Sequence, residues 1–220
     1  NGVEVFDVSG AQPKRVRVVG TGDGAHAFRA VGDRRHVLVS NRVANTISKI
    51  DMQAQEAVAS YPAPGGPDCM DVSADGRWIV YGVRQIQMPI YHLYEVSTGQ
   101  SILIPQGELL REPTFGPQGS QIAFNRGTLT ETQLVLTDVD CLLHDQCSQS
   151  EQRVTLVPLA SLQTWPTWSP NGRSVAYSLG FGAASGIYQA QASPIESRSR
   201  MVIDRPGDEW FLNWSFDGLD

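Results

Sequence analysis

Apolar and polar residues alternate along short segments of this chain, and one such segment returns at regular intervals. FRAVGDRRHVLVSN, MDVSADGRWIVYGV, PTFGPQGSQIAFNR, PTWSPNGRSVAYSL and LNWSFDGLD align with one another. They superpose on five anchor residues, Asp33, Asp75, Gln118, Asn171 and Asp217, at intervals of 42, 43, 53 and 46 residues. A period of this length indicates a structural repeat.

Each repeat predicts a hairpin of two strands. Apolar residues stand four and six positions after the anchor, Ile79 and Tyr81 in the second repeat, which is the period of two on one face of a strand. The glycine that follows most anchors tolerates the positive φ of a tight turn. The first repeat has Arg34 there, which leaves its turn type open. Residues three before the anchors should face the core: Ala30, Val72, Phe115, Trp168 and Trp214.

Two further strands follow each hairpin, for example TISKID and EAVASYP in the first repeat. A twisted four-stranded sheet cannot bury both faces alone, so units of this kind pack radially as blades around an axis. The sequence therefore predicts an all-β fold, a β-propeller of four-stranded antiparallel blades, with about four complete blades and partial blades at both ends. A β-sandwich with coincidental spacing is the alternative.

The prediction for domain organisation is one propeller domain over residues 1–220. Residues 3–19 have the pattern of outer strands whose inner strands are missing. This favours part of a longer propeller, and two chain ends that share one blade are the alternative.

Two stretches of the chain resemble known propeller repeats. The stretch from Val3 to about Gly82, with VEVFDVSG, SNRVANTISKID and SADGRWIVYG, resembles the YVTN-type repeat. The stretch from Glu112 onward, with PTFGPQGSQIAF, PTWSPNGRSVAY and NWSFDG, is similar to the repeat of TolB-type propellers. Unrelated activities use this architecture. The TolB resemblance implies a protein that contacts other proteins in an envelope or secreted assembly.

Charge and motifs narrow the classes of function. The net charge is −6 and both signs are interspersed, so no basic stripe is present and we expect no nucleic-acid partner. The sequence contains no run of eighteen apolar residues, so it predicts no membrane-spanning helix. The sequence contains no CxxCH, HExxH, GxSxG, GxGxxG or phosphate-loop motif. We therefore expect no cofactor and no metal site.

Candidate binding residues lie in the loops between blades and in the loops that join second to third strands. These loops gather around the axis on one face of a propeller, and convergent polar groups at a concave mouth are typical of a binding site. The titratable residues in them are His26, Asp68, Arg84, Arg111, Glu112, Arg126, Asp208 and Glu209. Solvated loop charges are the alternative interpretation. His26 stands alone in sequence, which favours a structural or ligand-contacting histidine over a metal ligand.

Cys141 and Cys147 lie in CLLHDQC, within the extra residues that lengthen the third interval. This insertion lies between a third and a fourth strand and should project from the face opposite the inter-blade loops. We expect a disulfide between them, which indicates an oxidising compartment, either the periplasm or the cell exterior. Free thiols on a cytoplasmic loop are the alternative. Cys69 is expected to be a buried thiol.

The sequence favours a non-catalytic periplasmic or secreted propeller that acts as a protein-interaction or accessory scaffold subunit. A protein partner is expected, and a small-molecule ligand is an alternative occupant. The competing hypothesis is an enzyme. A lactonase-like hydrolase would need a divalent metal and carboxylates such as Asp68 and Glu112, whereas the gating propeller of a peptidase would need a hydrolase domain that this sequence lacks.

Overall fold

A computed structural model describes residues 2–85, 89–104, 109–127, 132–144, 152–154, 163–179, 186–192, 195–203 and 214. Within these ranges the chain forms eighteen β-strands and one α-helix. It divides into two compact units, which we call unit 1 (Asn1–Leu103) and unit 2 (Ile104–Asp220).

Unit 1 contains a two-stranded sheet and two four-stranded sheets, all antiparallel. The first sheet pairs β1 (Gly2–Asp7) with β2 (Lys14–Gly20). The second follows chain order as β3 (Ala25–Ala30), β4 (His36–Asn41), β5 (Thr46–Asp51) and β6 (Glu56–Pro62). The third comprises β7 (Pro67–Val72), β8 (Trp78–Val83), β9 (Ile90–Glu95) and β10 (Ser101–Leu103). β3 and β7 are the edge strands that begin the two blades and contact each other.

Unit 2 contains two more four-stranded antiparallel sheets. One comprises β11 (Leu109–Phe115), β12 (Gln121–Gly127), β13 (Thr132–Asp138) and β14 (Gln152–Val154). The other comprises β15 (Gln163–Trp168), β16 (Ser174–Leu179), β17 (Gly186–Ala192) and β18 (Ile195–Ile203). A short helix, α1 (Val139–His144), follows β13 in the region of the predicted insertion. Four antiparallel four-stranded sheets confirm the predicted all-β blade architecture.

The anchor residues form the hairpin turns that the sequence predicts. Asp75 Oδ1 accepts hydrogen bonds from the Arg77 amide at 3.0 Å and the Ser73 hydroxyl at 2.6 Å. Gly76 has φ of +72°, and Arg34, at the same position of the first hairpin, has φ of +56°. The departure from glycine therefore changes the residue without changing the left-handed conformation of the turn.

The blade core matches the predicted pattern with two exceptions. The residues six after the anchors are fully buried, each 0% exposed: Val39, Tyr81, Phe124 and Tyr177. Three before the anchors, Val72, Phe115 and Trp168 are buried. The prediction that Ala30 faces the core is wrong, because Ala30 is exposed, and Trp214 is only partly buried. Ala30 lies in β3, which contacts β4 and β7. The preceding sheet contacts this blade through β2 and β6, at the opposite edge from β3.

A candidate binding cleft in unit 1

Four loops of unit 1 meet at one edge of its two four-stranded sheets. Because the strands are antiparallel, β3 and β7 begin at the edge where β4 and β8 end. A cleft of about 440 Å³ opens there, and residues from all four loops line it. Three basic side chains belong to this lining, His26, Arg42 and Arg84, together with the exposed Val43. The cleft thus has the location that the sequence predicts for binding residues.

His26 and Asp68 hold the two blades together beside the cleft. Each residue stands seven positions before its anchor, so they occupy the same place in successive repeats. His26 Nδ1 lies 2.7 Å from the backbone carbonyl oxygen of Asp68. A carbonyl only accepts, so Nδ1 carries a hydrogen and donates it. His26 Nε2 lies 3.7 Å from Asp68 Oδ1, and both side chains remain partly exposed.

Arg42 forms an ion pair with the same carboxylate. Its Nε atom lies 3.1 Å from Asp68 Oδ1. Asp68 Oδ1 is buried and accepts no hydrogen bond within the described residues. The Arg42 N–H group is close to this oxygen but does not form a hydrogen bond with it, so the contact is an electrostatic attraction. Asp68 therefore attracts the guanidinium towards the cleft and offsets part of its charge.

Arg84 stands directly after β8 and is exposed. It follows its anchor by nine residues, as Arg42 follows the preceding anchor, so the two arginines are equivalent positions of neighbouring repeats. In the part of the chain that the structure describes, the Arg84 side chain has neither a hydrogen bond nor an ion pair. Its guanidinium can therefore bind a ligand without breaking an internal contact.

Bare backbone forms another wall of the cleft, at Gly65 and Gly66. Both have positive φ, +94° and +76°. A Cβ atom at Gly66 would lie 2.9 Å from the Arg42 carbonyl oxygen, and one at Gly65 would lie 2.7 Å from Val83 Cγ1. The Gly65 amide donates to Asn45 Oδ1 at 3.1 Å. Glycine is thus required by both conformation and space, and it leaves this wall free of side chains.

The structure brings together His26, Asp68 and Arg84 from the predicted set. Sequence analysis missed Arg42, although its repeat position matches that of Arg84 and could have identified it. Both arginines come from loops that join a second to a third strand, and this shared repeat position is the sequence signal that identifies Arg42.

Two other predicted residues have internal contacts in unit 2. Glu112 has φ of +52°, and its Oε2 accepts a hydrogen bond from the Trp165 amide at 2.6 Å, which links the β11 and β15 blades. The Arg126 guanidinium lies over the Phe124 ring, 5.1 Å from its centroid. The Arg111 side chain, Asp208 and Glu209 lie outside the described residues.

The cysteines are only partly described. Cys141 is buried in α1, and Cys147 lies outside the described residues, so their pairing stays a prediction. Cys69 is not fully buried as predicted, because its side chain is partly exposed, with Sγ 3.7 Å from the Tyr91 hydroxyl.

The described residues contain no group of three or more His, Cys, Asp or Glu side chains placed to hold a metal ion. No helix among them has the length and apolar character needed to cross a membrane.

Comparisons with known proteins agree on the fold. Residues 1–91 match a family model described as YNCE-like beta-propeller. The chain is similar to hydrazine synthase of Kuenenia stuttgartiensis, with 15% identity and a TM-score of 0.63, over 87% of this chain and 59% of that chain. It is also similar to TolB from Acinetobacter baumannii, with 16% identity and a TM-score of 0.64, over 94% of this chain and 49% of that chain. No curated protein matches the chain.

These similarities support the architecture and not an activity, since the sequence identities are low. The chain spans 59% and 49% of the two similar structures. The family model matches the first repeat and part of the second, and the structural matches extend over most of the chain. With four antiparallel four-stranded sheets in a common register, the chain is a β-propeller repeat protein.

Proposed function

We propose that this chain is a non-catalytic propeller that binds a partner protein at the cleft of unit 1. The observation that carries the proposal is the exposed Arg84 guanidinium, which stands with Arg42 and His26 around an open cleft in a chain of net charge −6. A local basic site on an acidic protein attracts an acidic surface and orients it.

The rim of the cleft supports a protein as the partner. Val43 is 71% exposed and lies next to Arg42 in the lining. Arginine is enriched at the centres of protein interfaces, where its stem packs on apolar groups while its guanidinium pairs with an acid. An exposed valine beside two arginines supplies both kinds of contact.

Cross-linking in the cell that makes this protein tests the proposal. A photoreactive amino acid at Val43 should give a discrete adduct with one partner protein, and Arg84→Glu should remove that adduct. The matched control carries the photoreactive residue at Arg34, in the hairpin turn at the opposite end of β4. Adducts at position 34 but not at 43, or adducts that Arg84→Glu leaves unchanged, would contradict the proposal.

We place this binding propeller in the periplasm or outside the cell. The likeness of its fold to TolB-type propellers and the expected Cys141–Cys147 bridge support that setting. Mass spectrometry of unreduced, alkylated protein from its own compartment should recover Cys141 linked to Cys147 and Cys69 alkylated. Recovery of all three cysteines as alkylated thiols would contradict the oxidising compartment.

A further inference from the structure

We infer that the cleft of unit 1 is a carboxylate site, in which Arg42 and Arg84 bind one carboxylate group of an acidic side chain or a chain terminus. The source of the carboxylate rests on the proposed function, because a partner protein would supply it. The site itself rests only on the described residues of unit 1, so it can be tested separately.

The formal charge of the cleft fits a monoanion. Arg42 and Arg84 with Asp68 leave a formal charge of +1 while His26 is neutral. A carboxylate would cancel this charge, whereas a phosphate dianion would leave the cleft with a net negative charge next to the Asp68 carboxylate. The net charge of −6 further disfavours a polyanion such as a nucleic acid.

The geometry of Arg42 suits a planar, two-oxygen ligand. Asp68 Oδ1 contacts Nε, the atom nearest the stem of the guanidinium. Within the described residues no hydrogen bond engages the two terminal nitrogens of Arg42. Arginine binds carboxylates through paired N–H donors, and a guanidinium that an ion pair already draws to the cleft loses less freedom on binding. Asp68 is therefore a positioning residue for Arg42.

The repeat register explains how two arginines come to face one ligand. Arg42 and Arg84 occupy equivalent positions of neighbouring repeats, and both line the same cleft as Gly65 and Gly66. Because neither glycine carries a side chain, a ligand in the cleft can approach their backbone. A side chain at Gly66 would meet the Arg42 carbonyl oxygen instead.

NMR titration of the full ¹⁵N-labelled chain tests the inference at constant ionic strength. The probes are acetate, its neutral counterpart acetamide, and inorganic phosphate, and the signals are the amides of Gly65 and Gly66. Acetate should give saturable shifts, acetamide should give none, and phosphate should bind more weakly than acetate. Arg42→Gln and Arg84→Gln should each weaken acetate binding by about tenfold, the loss expected for one charged hydrogen-bond partner.

Two variants separate a cleft effect from a general charge effect. Arg34→Gln removes an arginine from the hairpin turn of the same unit and should leave acetate binding unchanged. Asp68→Asn raises the formal charge of the cleft to +2 and should increase the affinity for phosphate relative to acetate. An unchanged ratio would show that Asp68 does not set the charge preference.

The outcomes also separate this inference from the proposed function. Unsaturable acetate shifts, equal binding of acetamide, or tighter binding of phosphate by the unmodified chain would overturn the carboxylate site. Saturable acetate binding without any cross-link at Val43 would leave the site standing and contradict the protein partner. A cross-link that requires Arg84, in a chain that does not bind acetate, would contradict the carboxylate site and leave the protein partner standing.

Discussion

Units 1 and 2 build the same blade but join successive blades with different chemistry. In unit 1 the β3 and β7 blades share an apolar core, with the Tyr61 and Tyr94 ring centroids 5.8 Å apart, and charged and polar pairs lie along the edge strands of the junction. His26 and Arg42 both approach Asp68, and Arg29 Nε lies 3.4 Å from Asp71 Oδ1. These arginine and histidine side chains are substantially exposed, so the charged pairs lie where solvent can reach them.

In unit 2 the junction between the β11 and β15 blades carries aromatic side chains. Trp168 is 8% exposed, and its Nε1 donates to the Thr114 carbonyl of the preceding blade at 3.2 Å. Trp214 Nε1 donates to the Thr167 carbonyl at 3.0 Å, which is the same contact one repeat later. The residue four before the anchor is charged in unit 1, Arg29 or Asp71, and it is threonine in the first two repeats of unit 2, Thr114 and Thr167. One backbone register therefore supports exposed charged pairs at the junction of unit 1 and a buried tryptophan at the junction of unit 2.

The largest expected effect lies at the aromatic junction. Trp168→Ala should lower the free energy of unfolding by about 3 to 5 kcal/mol, because it removes a large buried side chain and the partner of the Thr114 carbonyl. Trp214→Ala is the comparison, and it should cost less because Trp214 is only partly buried. Denaturant unfolding of both variants measures this, and a loss below about 1 kcal/mol for Trp168→Ala would refute the packing described for unit 2.

Acid should loosen unit 1 before unit 2. The hydrogen bond from His36 lowers the pKa of Asp33 to about 2, and hydrogen bonds from Arg35 lower the pKa of Asp51. A carboxylate with a lowered pKa stabilises the fold above its unfolded pKa near 4, and that contribution is lost as the pH falls toward about 2. Two anchors of unit 2, Gln118 and Asn171, do not titrate in this range, and the third, Asp217, lies outside the described residues.

Amide hydrogen exchange, corrected for intrinsic rates, can follow peptides of both units between about pH 5 and pH 2. Protection should fall first in unit 1. Asp33→Asn keeps the turn-forming side chain and removes the charge, so it should lose stability near neutral pH and match the unmodified chain at about pH 2. Equal acid sensitivity of the two units would show that the charged pairs do not distinguish them.

The hairpin turns give a smaller effect with a known sign. Arg34→Gly should raise the free energy of unfolding by about 0.5 to 1 kcal/mol, because φ of +56° suits glycine. Gly76→Ala should lower it by about 1 kcal/mol or more, since φ is +72° there. Thermal or denaturant unfolding compares the two. Destabilisation by Arg34→Gly would mean that the arginine side chain stabilises the turn more than its conformation strains it.

The smallest effect is expected at the exposed ion pair between the blades of unit 1. Asp71→Asn should cost less than about 1 kcal/mol, because Arg29 is 53% exposed. The loss should shrink in about 1 M salt, where charges are screened within a few ångströms. The loss from Trp168→Ala should persist there. A salt-independent loss at Asp71 would show that the junction does not depend on charge.

The sequence predicted the features that the backbone period controls. Anchors, core positions such as Tyr81 and Tyr177, and strand order all follow from alternation and turn chemistry, which are local. The left-handed conformation of Arg34 could not be predicted, because the surrounding hairpin imposes it on a residue that disfavours it. α1 is six residues long, too short for a helical period to appear in the sequence.

The cleft could be predicted as a place more readily than as a set of contacts. Loop position alone indicated His26, Asp68 and Arg84. The pairing of Arg42 with Asp68 depends on how two blades pack and on side-chain rotamers, which no spacing in one repeat encodes. The exposure of Ala30 has the same origin, because its pattern is that of a core residue while its burial depends on the neighbouring sheet.

Every hydrogen-bonded ladder in the four large sheets joins strands that are consecutive in the chain. Such sheets form by pairing neighbouring strands, so little loop entropy is lost at each step. Each blade is therefore expected to open and close as a cooperative unit of its own. Contacts such as Trp168 with Thr114 then set how strongly the opening of one blade promotes the opening of the next.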